Sequence, residues 1–249
     1  MSAPAVYLWR TVCRRSLMRP MLLLSALAAL SLPEVGQAQP APVVIELYTS
    51  QGCSSCPPAD ALFAELAGLD GVIALALHVD YWDYLGWTDA FAAPANTERQ
   101  RAYAKAAKSR SIFTPEMIVQ GTDRLKGHDA ERIRERIAAH SGRESPVRLS
   151  IESDGDALEI RVEPRRGPVE PADVHVVRFM PEQVVEIEGG ENAGRTVAYT
   201  NVVTSWETVG QWDGTAPLAL RYENAGEGPL AVIVQARKMG PVLTAGRWP

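Results

Sequence analysis

Cysteine is scarce in this chain, with three in 249 residues, and histidine nearly so, with four. That scarcity excludes a small fold stapled by several disulfides. No second Cys-x-x-Cys and no His-x-x-x-His is present, so local spacing offers no complete four-ligand zinc site. An excess of basic charge is also lacking: 25 Lys and Arg stand against 30 Asp and Glu, a formal net charge of −5. This disfavours nucleic acid and anionic lipid as partners. Internal repeats and low-complexity tracts are absent, which removes solenoids and linkers from consideration.

The N-terminus reads as a targeting segment. Arg10, Arg14, Arg15 and Arg19 precede the apolar run Met21–Leu32, and Gly36-Gln37-Ala38 supplies small residues for cleavage. A run of about a dozen apolar residues falls short of the roughly 20 a membrane-spanning helix needs. Residues 1–38 are therefore expected to be a signal peptide, with the mature chain starting at Gln39 in the periplasm or outside the cell. The pair Arg14-Arg15, followed by Ser16-Leu17-Met18, also admits twin-arginine export. No second stretch is long enough for a membrane span after cleavage. Cys13 leaves with the leader, so Cys53 and Cys56 become the only thiols, and outside the cytoplasm they are oxidised unless a reductant maintains them.

From Pro42 to Gly142 the pattern alternates strand and helix. Val43–Tyr48 is an apolar strand, and Pro57-Pro58 opens a helix whose Leu62, Phe63, Leu66 and Leu69 share a face. Val72–Val79 is continuously apolar, as in a parallel strand covered on both faces. An aromatic insert over Tyr81–Ala93 follows, and Thr97-Glu98-Arg99-Gln100 has capping-box spacing for a helix running to Lys108. Met117–Gln120 and Arg124–Lys126 form a hairpin, and Ala130–His140 is the next helix. Beyond the polar stretch Ser141–Pro146 the strands are short: Val147–Glu152, Leu158–Val162, Val174–Phe179, Val184–Ile187, Thr196–Val203, Leu218–Tyr222 and Leu230–Gln235. This texture predicts a small β-sandwich-like domain over residues 146–249 behind an α/β domain over residues 39–143.

Cys53-Ser54-Ser55-Cys56 comes just after the first strand. Two thiols at this spacing share one helical turn, and a helix starting at the first would favour a thiolate on Cys53. Cys53 is then the exposed attacking nucleophile and Cys56 the resolving thiol, in the manner of a thioredoxin-type site. In that fold a proline opens the strand facing the cysteines after a cis peptide bond. Thr114-Pro115 holds this place, with the Thr114 backbone offered to substrate. His78, Asp80, Trp82, Asp83 and Trp87 follow the second strand at the same carboxyl edge of the sheet, where ligands collect. Asp80 is a candidate to take a proton from Cys56, and Trp82 and Trp87 to wall a substrate groove. Equally, the tryptophans cover the sheet and the carboxylates cap turns. Glu46 is either a buried proton relay or a solvent-facing residue. Gly189–Arg195 reads as a hairpin loop, since no Walker lysine accompanies it. His128, His140 and His175 lack companions at ligand spacing and are read as surface residues.

Glu46-Leu47-Tyr48-Thr49-Ser50-Gln51-Gly52-Cys53-Ser54-Ser55-Cys56-Pro57-Pro58-Ala59-Asp60 resembles the signature of a family of secreted bacterial proteins catalogued as a domain of unknown function. His78–Trp87, Thr114-Pro115 and Gly190–Arg195 resemble its further blocks, so the likeness spans nearly the whole mature chain. The resemblance implies a thioredoxin-like domain with an appended β domain, and brings no established reaction. Gly52 stands where thioredoxin itself has tryptophan, and Tyr48–Cys56 looks closer to glutaredoxin. The expected architecture is thus α/β, a thioredoxin-like domain followed by a small all-β, sandwich-like domain. The expected activity is exchange with a protein or small-molecule thiol or disulfide, without cofactor or metal. The alternatives are periplasmic Cu(I) handling by Cys53 and Cys56 with His78, and a binding module with an inert disulfide.

Overall fold

The computed structural model describes residues 1, 41–223, 226 and 228–249. The expected signal peptide (apart from Met1), Cys13 and the Gln39 terminus lie outside them. The elements run β1 (Val43–Thr49), α1 (Pro57–Ala67), β2 (Val72–His78), α2 (Pro94–Ala106), β3 (Glu116–Val119), β4 (Asp123–Lys126), α3 (Ala130–His140), β5 (Val147–Asp154), β6 (Ala157–Pro164), β7 (Ala172–Ile187), β8 (Arg195–Trp212), β9 (Leu218–Tyr222), β10 (Leu230–Ala236) and β11 (Val242–Trp248). No helix among the described residues is long and apolar enough to cross a membrane.

Every residue of β1 is buried because the strand lies inside the sheet and is covered on both faces. Alternation splits its side chains into two sets. Val43, Ile45 and Leu47 pack under Leu62, Phe63 and Leu66 of α1 and Ile133 and Ile137 of α3. Val44 and Tyr48 face the other way, onto a core holding Tyr103 of α2 and Val177, Phe179, Val203 and Ile233 from the second half. Helix α2 begins at Pro94, three residues ahead of the expected capping box. Proline suits a first helical position, where its missing N–H is no loss. Thr97 therefore sits inside the first turn and donates its hydroxyl to Asp80 Oδ1 at 2.6 Å.

The expected succession of a thioredoxin-like α/β domain and a separate β domain is overturned. Among the described residues 44% lie in strands and 20% in helices. Its main sheet is mixed and eight-stranded, in the order β11-β10-β7-β8-β2-β1-β3-β4, so strands from both halves form one sheet. The join is β8 against β2, parallel, with Ala76 opposite Val202 and the Asn201 side-chain amide donating to the Ala74 carbonyl at 3.0 Å. Strands β7 and β8 are long enough to serve two neighbourhoods. Register shifts at Val174/His175 and Arg178/Phe179 break their ladder, as bulges that bend a ribbon do. Nearer the termini of the hairpin, Val174 and Val176 join Leu158, Ile160 and Val162 of the three-stranded sheet β5-β6-β9 in a third core. A sandwich contact therefore exists, but one of its layers continues into the strands of the first half.

Glu46 is buried, and it serves the joint between the halves rather than the thiols. Arg99 Nε and Nη2 donate to its two oxygens at 2.8 and 2.9 Å, and the Tyr48 and Tyr103 hydroxyls add bonds of 2.9 and 2.7 Å. Arg99 also reaches Gln235 Oε1 of β10 at 3.0 Å and lies 3.6 Å above the Trp206 ring of β8. Burial raises the Glu46 pKa, but the Arg99 charge and these hydrogen bonds outweigh it and hold the carboxyl below its ordinary value. His175 is buried in the same region rather than on the surface, and burial pushes its imidazole down to about 4.

Candidate functional site

Strands β1 and β2 are parallel with Thr49 opposite His78, so the segments that follow them leave from one end of the sheet. The first is Ser50–Cys56, a tight turn in which the Cys53 amide donates to the Ser50 carbonyl and the Cys56 amide to the Cys53 carbonyl, both at 3.1 Å. Cys53 and Cys56 are joined as a disulfide. The helix starts at Pro57, as the Pro57-Pro58 pair signalled, and not at the first thiol. Cys56 is the N-cap and Pro57 and Pro58 occupy the first turn. Prolines carry no N–H, and the amides of Ala59 and Asp60 both turn back to the Cys56 carbonyl. The helix terminus is therefore not aimed at Cys53, whose sulfur instead has the Ser55 hydroxyl 3.5 Å away. Nor is Cys53 exposed: it retains 1% of its accessible surface and Cys56 none, while Ser54 and Ser55 lie in solvent.

Three side chains brace this turn from outside it. The Gln51 amide donates to Asp89 Oδ2 at 2.8 Å, and the Trp87 indole N–H donates to Gln51 Oε1 at 2.8 Å. Asn192, in the β7–β8 connection, donates its side-chain amide to the carbonyls of Gln51 at 2.8 Å and Cys53 at 2.9 Å. Trp87 thus positions the cysteine turn. Trp82 lies nearer the approach to it. A β-carbon on Gly52 would come within 3.2 Å of Trp82 Cβ, so the missing side chain lets Trp82 close on the turn. Its indole N–H donates to Thr114 Oγ1 at 2.7 Å. The Thr114–Pro115 bond is cis, as expected. Pro115 is buried at the start of β3, and a β-carbon at Gly127 would lie 2.8 Å from Pro115 Cβ and 3.2 Å from Ala59 Cβ. Pro115 and the first turn of α1 therefore meet over Gly127. Tyr84 and Phe113, next in sequence to this region, are exposed.

Asp80, expected to serve Cys56, is engaged by Thr97 of α2. The structure brings a different carboxylate to α1, one turn beyond Cys56. Asp60 is 5% exposed, its Oδ1 accepts from Thr49 Oγ1 at 2.8 Å, and its Oδ2 has no partner. His78 is fully buried, with Nδ1 2.7 Å from Asp89 Oδ2 and Nε2 unpartnered. Burial raises the Asp60 pKa to about 6, the His78 charge working against it and the Asp89 charge with it. Because the folded value lies above the unfolded one, Asp60 favours the folded state fully below its unfolded pKa. That contribution fades as the pH rises through about 6.

Asn192, Asp60 and Asp89 were not singled out as site residues from the sequence. Asp60 had a local signal, four residues after Cys56. Asn192 lay in the Gly190–Arg195 block of the family resemblance, but that stretch was read as a hairpin loop, which it does form, and only the fold brings its side chain to the cysteines. Asn192→Ala is expected to strip the donor from two carbonyls and destabilise the protein by about 1–3 kcal/mol, read by urea unfolding of the oxidised form. A shift below about 0.5 kcal/mol would mean the brace is dispensable.

With the geometry in place, comparison with known proteins places the chain. Residues 44–235 match the family described as protein of unknown function (DUF1223). The chain belongs to this family. The match spans both halves of the eight-stranded sheet, from Val44 in β1 to Gln235 in β10. The crystal structure of protein AGR_C_4864 from Agrobacterium tumefaciens is 35% identical, with a TM-score of 0.72, over 84% of this chain and 95% of that one. HBP35 of Porphyromonas gingivalis is 14% identical with a TM-score of 0.54, over 84% of this chain and 75% of that one, a likeness of fold alone. No curated protein matches the sequence.

Proposed function

We propose that this DUF1223 chain is an exported thiol–disulfide oxidoreductase acting on a protein or small-molecule thiol or disulfide. The observation that carries the reading is the Cys53–Cys56 disulfide itself, held in a three-residue brace beside the exposed Ser54-Ser55 turn at the carboxyl end of a parallel strand pair. A disulfide closing so short a loop contributes little chain-entropy stabilisation, which favours a chemical role over a structural one. A partner thiolate attacks Cys53 Sγ, the Cys53–Cys56 bond breaks, and Cys56 leaves with the electron pair. A second partner thiol then attacks the mixed disulfide and releases reduced Cys53 and an oxidised partner. Run backwards, the same steps oxidise the protein and reduce the partner. Thr114, Pro115 and Trp82 are the groups best placed to meet substrate. The basic and apolar leader supports a periplasmic or secreted location.

The test is the reduction potential of the Cys53–Cys56 pair in the mature chain, equilibrated against glutathione or dithiothreitol. A value between about −120 and −270 mV, the range of exchange catalysts, is expected. A value below about −300 mV would make the bond an inert structural disulfide and overturn the reading.

A further inference from the structure

Two strands end their sheets beside one another without pairing. Strand β11 closes one edge of the eight-stranded sheet, and β5 closes one edge of the three-stranded sheet. We propose that the groove between them binds an extended, carboxylate-bearing peptide segment of another protein. The segment adds as a strand to the free edge of β11, and its acidic group meets Arg165 and Arg247.

The outer edge of β11 is partnered only at its start. The Val242 amide donates to the Gln120 carbonyl at 3.0 Å, and Gln120 Nε2 donates to the Val242 carbonyl at 2.8 Å. Ser145 Oγ donates to the Leu243 carbonyl at 2.9 Å. Over residues 244–248 the only backbone partner among the described residues is β10, on the inner side. An antiparallel strand turns alternate N–H and C=O groups away from its neighbour, so this stretch offers an unpaired row to a further strand. At about 3.4 Å per residue the row is roughly 17 Å long. Edges that stay single are commonly blunted by proline or lysine, and residues 244–248 contain neither.

The groove beside this edge has a volume of about 510 Å³, with Leu149 and Ile151 of β5 on one wall and Trp248 of β11 on the other. Gly246 lets the two walls approach, since a β-carbon there would come within 2.9 Å of Ile151 Cδ1. Arg165 and Arg247 also line the groove, and no Asp or Glu does among the described residues, in a chain with more acidic than basic residues. Neither arginine has an ion pair among the described residues. Arg247 lies 5.2 Å from the centre of the Phe179 ring, and Arg165 Nε is buried with no hydrogen-bond acceptor. A desolvated guanidinium N–H without an acceptor is costly, and a carboxylate is the acceptor whose geometry and charge suit it. An added strand supplies that carboxylate from one face while its alternate apolar side chains meet Leu149, Ile151 and Trp248. Ala41 and Pro42 line the groove too, so it lies at the start of β1, whereas the cysteine turn follows the end of that strand. The site is therefore separate from the thiol chemistry and does not rest on it.

The experiment titrates the mature chain with a fluorescein-labelled seven-residue peptide of alternating valine and threonine, its central residue replaced by glutamate, followed by anisotropy. Saturable binding is expected, and Arg165→Ala or Arg247→Ala is expected to weaken it about tenfold or more. A peptide with lysine in place of the glutamate should bind more weakly by a similar factor. Two further peptides are N-methylated at alternate positions, in the two possible frames. One frame should abolish binding and the other preserve it, because only one side of the added strand pairs with β11. The peptide changes probe the site on unaltered protein should an arginine variant fold poorly. No binding at millimolar peptide, or equal binding of the glutamate and lysine peptides, overturns the proposal. Unchanged binding in both N-methylated frames also overturns it, since the groove then takes an anion without strand pairing. A dimer in sedimentation that dissociates in Arg247→Glu would give the edge to a second copy of this chain instead, and overturn it likewise.

Discussion

Replacing Arg99 by alanine is expected to destabilise the protein by about 3–5 kcal/mol, the usual result of leaving a buried charge without its partner. Glu46 is 1% exposed and sits in β1, where neither face of the strand reaches water. Its charge is tolerated because Arg99 meets both oxygens and two tyrosine hydroxyls add donors. Without the guanidinium, Glu46 must take up a proton to stay buried, and Gln235 and Trp206 lose a partner together. The pair also gives a pH dependence. The Glu46 pKa is depressed in the folded state, so its contribution is complete above the unfolded carboxyl value and lost as the pH falls through the depressed one. In Arg99→Ala that acid limb should vanish, with stability instead falling as the pH rises. Urea unfolding across the acid range checks both statements. A loss below about 1 kcal/mol at neutral pH would show that the pair is solvated and does not tie α2 to the sheet.

Cys56→Ser is expected to accumulate mixed disulfides through Cys53, while Cys53→Ser accumulates almost none. The asymmetry follows from the turn. Cys53 precedes the exposed Ser54-Ser55 pair and has a hydroxyl near its sulfur, whereas Cys56 is wholly buried as the cap of a helix opened by two prolines. In Cys56→Ser the Cys53 thiolate attacks the partner disulfide and expels a partner thiolate, and with the Cys56 thiol replaced by a hydroxyl no neighbouring thiol displaces the adduct afterwards. Mass analysis of each variant after incubation with oxidised glutathione or an envelope extract reads the adducts directly. Equal trapping by the two variants would remove the assignment of Cys53 as the entry sulfur.

The strand, helix and turn signals were legible where they depend on neighbours in sequence. Ala130–His140 and Leu218–Tyr222 were read to the residue, and β1, β2 and the β3–β4 hairpin to within one or two residues. Pro57 opened α1 as the Pro57-Pro58 pair signalled, whereas Pro94 took the first turn of α2 ahead of the capping-box spacing at Thr97. Val184–Ile187 was seen as a strand, but not as the far end of β7, because a bulge in the middle of a strand looks like a break in the pattern. Val242–Trp248 was not seen at all, although β11 is a full strand on the edge of the sheet.

What the sequence alone determined was the chemistry on offer: one close pair of thiols after an apolar strand, a cis-prolyl element opposite, and a conspicuous block of aromatic and acidic residues after the second strand. These are properties of short segments, set by side-chain type, spacing and turn preference. Tertiary structure alone decided which partners those segments found. Apolar alternation says that a strand has a buried face but not which edge it pairs, so nothing local shows β8 joining β2 and merging two expected domains into one sheet. For the same reason Glu46 meets Arg99, and Asn192 reaches Cys53 across 139 positions of sequence. Hydrogen-bond donors and acceptors buried by folding must be matched wherever they come to rest, and that matching is a property of the assembled chain.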